Sequence, residues 1–213
     1  MYSVSMARSR FIFPCLLVLF VLLGFDCESV RAVQSEPIDQ VRKTVEKVLS
    51  IITDESMAGP EMEAERDQKV FEVVGSRFDF REMSQRALAT HWKRISGEEQ
   101  DVFVNLFSRL LQNTYLKKIN AYSDEGVLYK GQEIRKNKAV VETVVVKNNV
   151  EIPLIYRLKK KADQWLVYDV VIEGVSLVRN YRSQFKSIIS REKYSGLLKR
   201  MEKKIEQSEE KAE

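Results

Sequence analysis

Apolar positions between residues 37 and 119 follow the helical period. Ile38, Val41, Val45, Val48, Leu49 and Ile52 fall three or four residues apart just after Pro37, which predicts an amphipathic helix over 37–53. Met57 to Pro60 interrupts the pattern. A second helix is expected over 61–75. A third starts behind Asp79, a suitable N-cap, and runs through Met83 and Leu88 to Trp92. Ser96 with Glu99 three residues later makes a capping box. It opens a helix in which Phe103, Leu106, Phe107, Leu110 and Leu111 repeat as far as Tyr115 and Ile119. So wide an apolar surface is expected to pack on a sheet.

From Gly126 the period changes to two. Segments 127–135, 138–147, 150–159 and 164–173 are rich in Val, Ile and Tyr, and turn-like Lys136-Asn137, Asn148-Asn149 and Lys160 to Asp163 separate them. In the third segment Val150, Ile152, Leu154, Tyr156 and Leu158 alternate with a mostly polar set, so one face needs a cover. After Gly174 the helical period returns in two stripes, Val178, Tyr181, Phe185, Ile188 and Ile189, then Tyr194, Leu197, Leu198, Met201 and Ile205. Two closing helices are expected across the sheet. The fold class is therefore α+β, a twisted four-stranded antiparallel meander covered by N-terminal and C-terminal helices. Gln207 to Glu213 are polar or small, and 207–213 is expected to form a disordered charged tail.

The amino terminus has a different character. Arg8 and Arg10 precede the apolar run Phe11 to Phe25, and Val30-Arg31-Ala32 offers a small-residue cleavage pattern, so 1–32 reads as a cleavable signal peptide. The run is shorter than a bilayer span and contains Pro14 and Gly24. Both cysteines, Cys15 and Cys27, fall inside it. The expected mature chain has no disulfide and no thiolate chemistry, and 33–206 is expected to form its one globular domain.

Composition narrows the function. Hydrophobic residues at 44% and charged residues at 31% are typical of a folded soluble domain. The net charge of +4 comes from 35 basic and 31 acidic residues that are largely interspersed, so no field suited to nucleic acid is present. The run Arg157, Lys159, Lys160, Lys161 reads as a solvated hairpin tip, with anionic phospholipid headgroups or an acidic partner as the functional alternative.

Catalytic groups are scarce. His91 is the single histidine and has no evident partner, which is too little for a histidine-based metal centre and favours a structural role. The glycines are too dispersed for a phosphate loop or a dinucleotide fingerprint. Asp169 and Ser176 offer an acid and a hydroxyl, but a serine after a glycine turn ordinarily caps a helix and an aspartate at a strand end ordinarily bonds backbone amides. No catalytic residue, metal or cofactor is assigned.

The run Trp165-Leu-Val-Tyr-Asp169-Val, then Glu173-Gly174-Val175-Ser176-Leu177-Val178 and Asn180-Tyr181-Arg182-Ser183-Gln184-Phe185, resembles the signature of the MlaC, or toluene-tolerance, family. Phe78-Asp79-Phe80 with Met83, Ala87-Leu88 and Trp92, and the helix opened by Ser96, resemble the same family's helical half. The resemblance covers about residues 38–205 and implies a monomeric, non-enzymatic periplasmic carrier. It would shuttle phospholipid between an inner-membrane ABC transporter complex and an outer-membrane lipoprotein complex, in service of outer-membrane lipid asymmetry.

A carrier also makes physical sense. Each methylene exposed to water costs about 0.8 kcal/mol, so one sixteen-carbon chain costs on the order of 12 kcal/mol, and the tails must be enclosed. Phe103, Phe107, Leu110, Leu111, Ile152, Leu154, Tyr156, Leu158, Val178, Tyr181 and Phe185 are the candidate walls of such an apolar cavity. For each of them a filled core demands the same residue type. Phospholipid, fatty acid and hopanoid would all satisfy this wall. Two rival readings are a small enzyme of the helix-over-curved-sheet kind and an interaction protein with a filled core.

Overall fold

In the computed structural model residues 36–120, 126–147 and 149–210 are described; the expected signal peptide, both cysteines and residues 211–213 lie outside them. Helix α1 (Pro37–Ile52) begins at Pro37, whose fixed φ suits a first helical turn. Gln132 on the facing strand anchors that end, its Oε1 accepting from Ile38 N at 2.9 Å and its Nε2 donating to Glu36 at 2.8 Å. Two single 3₁₀ turns (55–57 and 60–62) precede α2 (Glu63–Gly75), which therefore starts two residues later than its apolar pattern suggests.

Helix α3 (Phe80–Leu88) is capped by Asp79, which accepts from Glu82 N. It stops before Trp92 because Ala89 adopts φ 51°, ψ −117°, and a 3₁₀ segment (89–94) carries Trp92 into the core instead. The Ser96–Glu99 capping box forms in both directions, at 2.8 and 3.2 Å, and opens α4 (Gly97–Asn120).

The sheet is antiparallel in the order β1 (Gly126–Arg135), β2 (Lys138–Lys147), β3 (Val150–Lys161), β4 (Gln164–Ile172) and β5 (Val175–Ser176). The fifth strand is two residues long and is an addition to the expected meander. Glu173 and Gly174 form the turn before it with φ of 48° and 82°. Two successive positive φ values are what a tight primed hairpin turn requires, and this accounts for the Glu-Gly pair. In β4 a bulge separates the pairs Leu158–Val167 and Arg157–Asp169. The extra residue lets Val167 and Val170 join the same apolar cluster although three positions separate them. Residues 77–79 bridge the edge of β4, with Val167 N donating to Arg77 O and Asp79 N to Val167 O.

The two closing helices are present end to end as α5 (Leu177–Glu209), which breaks at Lys193 (φ 62°, ψ −178°) between the two apolar stripes. It continues through Gln207 and Ser208 to Glu209, where the sequence suggests a disordered tail. Nor does it lie across the sheet. Val178, Tyr181, Phe185, Ile189, Leu197, Met201 and Ile205 pack with Phe103, Phe107 and Leu110 of α4 and with Met83, Ala87 and Leu88 of α3. The result is a helical core beside the sheet, with Phe107 and Phe185 edge to face at 5.4 Å. A second core, built from Val41, Ala139, Val141, Leu158, Trp165, Val167 and Val170, lies between α1 and the sheet.

Candidate functional site

The two cores leave a space between them. It is an apolar cavity of about 430 Å³, bounded by α1, α2 and the second half of α4 on one side and by the sheet on the other. Helix α1 contributes Val41, Thr44, Val45, Val48, Leu49 and Ile52, the whole of its expected stripe from Val41 onward. Val70, Phe71 and Val74 of α2 continue the wall, followed by Phe78, Phe80 and Met83. From α4 come Leu111, Gln112, Tyr115, Leu116 and Ile119. The floor is Val127, Val145, Ile152, Leu154, Tyr156, Val167, Val170, Ile172 and Leu177. The volume falls in the range typical of small-molecule sites.

Of the eleven wall residues suggested by sequence, Leu111, Ile152, Leu154 and Tyr156 line this cavity. Phe103, Phe107, Leu110, Val178, Tyr181 and Phe185 pack into the helical core, and Leu158 into the core under α1. The division within α4 has a simple origin. A helix of 24 residues is about 36 Å long; its first half crosses α3 and α5, and only its second half passes over the sheet. The expectation that the whole helix rests on the sheet fails for that reason. The α1 and α2 walls were not among the eleven. Thr44 inside the α1 stripe is no signal of a void, because its hydroxyl donates to Gln40 O one turn back, as a helical threonine does in a filled core.

Polar groups on the wall are few. Burial pushes the Tyr115 hydroxyl up to about 12, so it stays neutral at physiological pH. Arg77 and Lys147 are the cations. Arg77 Nη1 donates to Gln40 Oε1 at 2.7 Å and to the Trp165 carbonyl at 3.5 Å, and its Nε donates to Thr44 Oγ1 at 3.3 Å. Burial lowers the Arg77 guanidinium below its ordinary value.

The groups raised as a possible catalytic pair are structural in this geometry. Ser176 Oγ donates to Asp169 Oδ2 at 2.7 Å and accepts from Arg179 N at 3.1 Å, capping α5, while Asp169 Oδ1 accepts from Val178 N. Neither residue lines the cavity, and neither does His91. The basic hairpin is not a free solvated tip. Arg157 pairs with Asp169 at 2.8 Å, Lys159 with Glu82 at 3.1 Å, and Lys161 with Asp79. Among the described residues no group of three or more His, Cys, Asp or Glu side chains is placed to hold a metal ion, and no helix is long and apolar enough to cross a membrane.

The family model described as MlaC protein matches residues 42–203, from within α1 to within the second half of α5. The chain belongs to the MlaC family. Among solved structures it is similar to a phospholipid-binding protein from Ralstonia solanacearum determined in complex with a phospholipid. The two share 28% identity and a TM-score of 0.72, over 82% of this chain and 99% of that one. It is also similar to the intermembrane phospholipid transport system binding protein MlaC of Haemophilus influenzae, with 22% identity over 128 residues and 57% of this chain. The match spans 60% of that curated relative's length.

Proposed function

We propose that this MlaC-family protein is a lipid carrier of the cell envelope. It takes the acyl chains of a phospholipid into the cavity between α1, α2, α4 and the sheet, and leaves the headgroup near solvent. The observation that carries the reading is the cavity itself, about 430 Å³ walled almost wholly by aliphatic and aromatic side chains, in a chain that shares its fold with a phospholipid-bound relative. The wall offers no hydroxyl–imidazole or paired-carboxylate chemistry, and carriage needs none. Transfer consists of desolvating tails at one membrane complex and releasing them at another.

The setting follows from the same reading. The protein works as a monomer in the periplasm after cleavage of residues 1–32, and shuttles lipid between an inner-membrane ABC transporter complex and an outer-membrane lipoprotein complex. Transfer of a fluorescent phospholipid from donor to acceptor vesicles separated by a dialysis membrane tests it. Transfer that rises with protein concentration is expected. Transfer no faster than without protein would contradict the reading.

A further inference from the structure

Arg77 is an odd member of an aliphatic wall. It is half-buried, it lines the cavity, and its protein partners are all neutral: the Gln40 amide oxygen, the Thr44 hydroxyl and the Trp165 carbonyl. Those bonds engage Nε and Nη1, and among the described residues Nη2 has no protein partner and no carboxylate forms an ion pair with the guanidinium. Other cations nearby are neutralised, since Arg157, Lys159 and Lys161 each face a carboxylate. A guanidinium taken partly out of water with no counter-charge is costly, and a well-placed anion that hydrogen-bonds to it offsets part of that cost.

The group is also held in place. The Arg77 backbone is fixed by the bridge to Val167, whose N–H donates to Arg77 O at 2.9 Å. Thr44 donates to Gln40 O at 2.8 Å, which leaves its oxygen lone pairs for Arg77 Nε. Gln40 Oε1 accepts from both Arg77 and Trp165 N, so the amide cannot turn away. A donor set fixed before any ligand arrives is what selective binding of a carboxylate or phosphate oxygen requires.

We infer that Arg77, positioned by Gln40 and Thr44, is an anion-binding subsite at a half-buried, partly solvent-exposed point of the cavity wall. It selects lipids that bring a carboxylate or phosphate oxygen to the wall over neutral amphiphiles of equal chain length. The inference rests on the carrier reading and adds a preference that apolar walls cannot supply.

The test compares dodecanoate, monododecyl phosphate and 1-dodecanol as competitors of a bound fluorescent fatty-acid probe, with acetate and inorganic phosphate as chain-free controls. The wild type is expected to bind the two anionic amphiphiles about tenfold or more tighter than the alcohol, the scale of a charge-assisted hydrogen bond. Arg77→Gln should erase that ratio while 1-dodecanol binding stays intact, which also certifies the fold, and Arg77→Lys should keep part of it. Competition by acetate or inorganic phosphate alone would identify a site for the free anion and overturn the lipid assignment. An unchanged ratio in Arg77→Gln, or its loss in Lys147→Gln instead, overturns the inference, as does equal loss of all three ligands. If the wild type binds none of the amphiphiles, the carrier reading itself fails.

Discussion

Ser176 Oγ donates a 2.7 Å hydrogen bond to Asp169 Oδ2, joining the bulge of β4 to the first turn of α5. The same carboxylate accepts from Val178 N and pairs with Arg157, so one aspartate fixes sheet, turn and helix together. Asp169→Asn keeps the volume but weakens each of these bonds. It should lower unfolding stability by about 1–3 kcal/mol, read from urea denaturation, while the folded fraction still binds lipid. Loss of lipid binding at full stability would show that Asp169 acts in the site.

Cavity and core predict opposite phenotypes. Val45 and Val74 line the cavity, so replacing both with Trp fills it. Bound lipid should fall to a small fraction of the wild-type level with stability within about 1.5 kcal/mol. Phe107 is fully buried in the helical core, where Phe107→Ala should cost about 3–5 kcal/mol yet leave lipid binding of the folded protein in place. Lipid extraction and urea titration of both variants separate the two outcomes.

This contrast also marks how far the sequence could be read. The α1 stripe, the Ser96–Glu99 box and the spans of the four long strands were legible because period and capping act locally. Whether Phe103 or Tyr115 faces a void was not, since a cavity wall and a filled core call for the same apolar residue at the same spacing. The choice depends on where α4 leaves the helical core and passes over the sheet, a tertiary fact. The basic run at 157–161 misled for a similar reason: its carboxylate partners Asp79 and Glu82 lie far away in sequence.

Ala89 at φ 51°, ψ −117° and Lys193 at φ 62°, ψ −178° are two of the six described non-glycine residues with the positive φ that favours glycine. Removing Cβ there relieves strain. Ala89→Gly and Lys193→Gly should each raise the urea midpoint, by about 1 kcal/mol in stability. A drop in midpoint for either variant would mean that the local strain is smaller than the entropy glycine adds to the unfolded chain.

Glu82 links pH to stability. Burial pushes its carboxyl up, but the hydrogen bonds from Lys159 and Arg86, with their charges, bring it below the ordinary value of 4.5. A depressed folded-state value means the folded protein holds this proton less tightly than the unfolded chain. The stabilisation is therefore full above pH 4.5 and fades as pH falls through the folded value. In urea titrations the wild type should lose more stability than Glu82→Gln between about pH 6 and pH 3.5. Parallel losses would remove Glu82 from the acid response.

The account stands on the cavity holding lipid, and native mass spectrometry of the purified protein tests that most directly. The prediction is a complex heavier than the bare chain by the mass of a phospholipid, with the increment lost in the Val45→Trp/Val74→Trp variant. Protein that is always lipid-free and takes up no added phospholipid would contradict it.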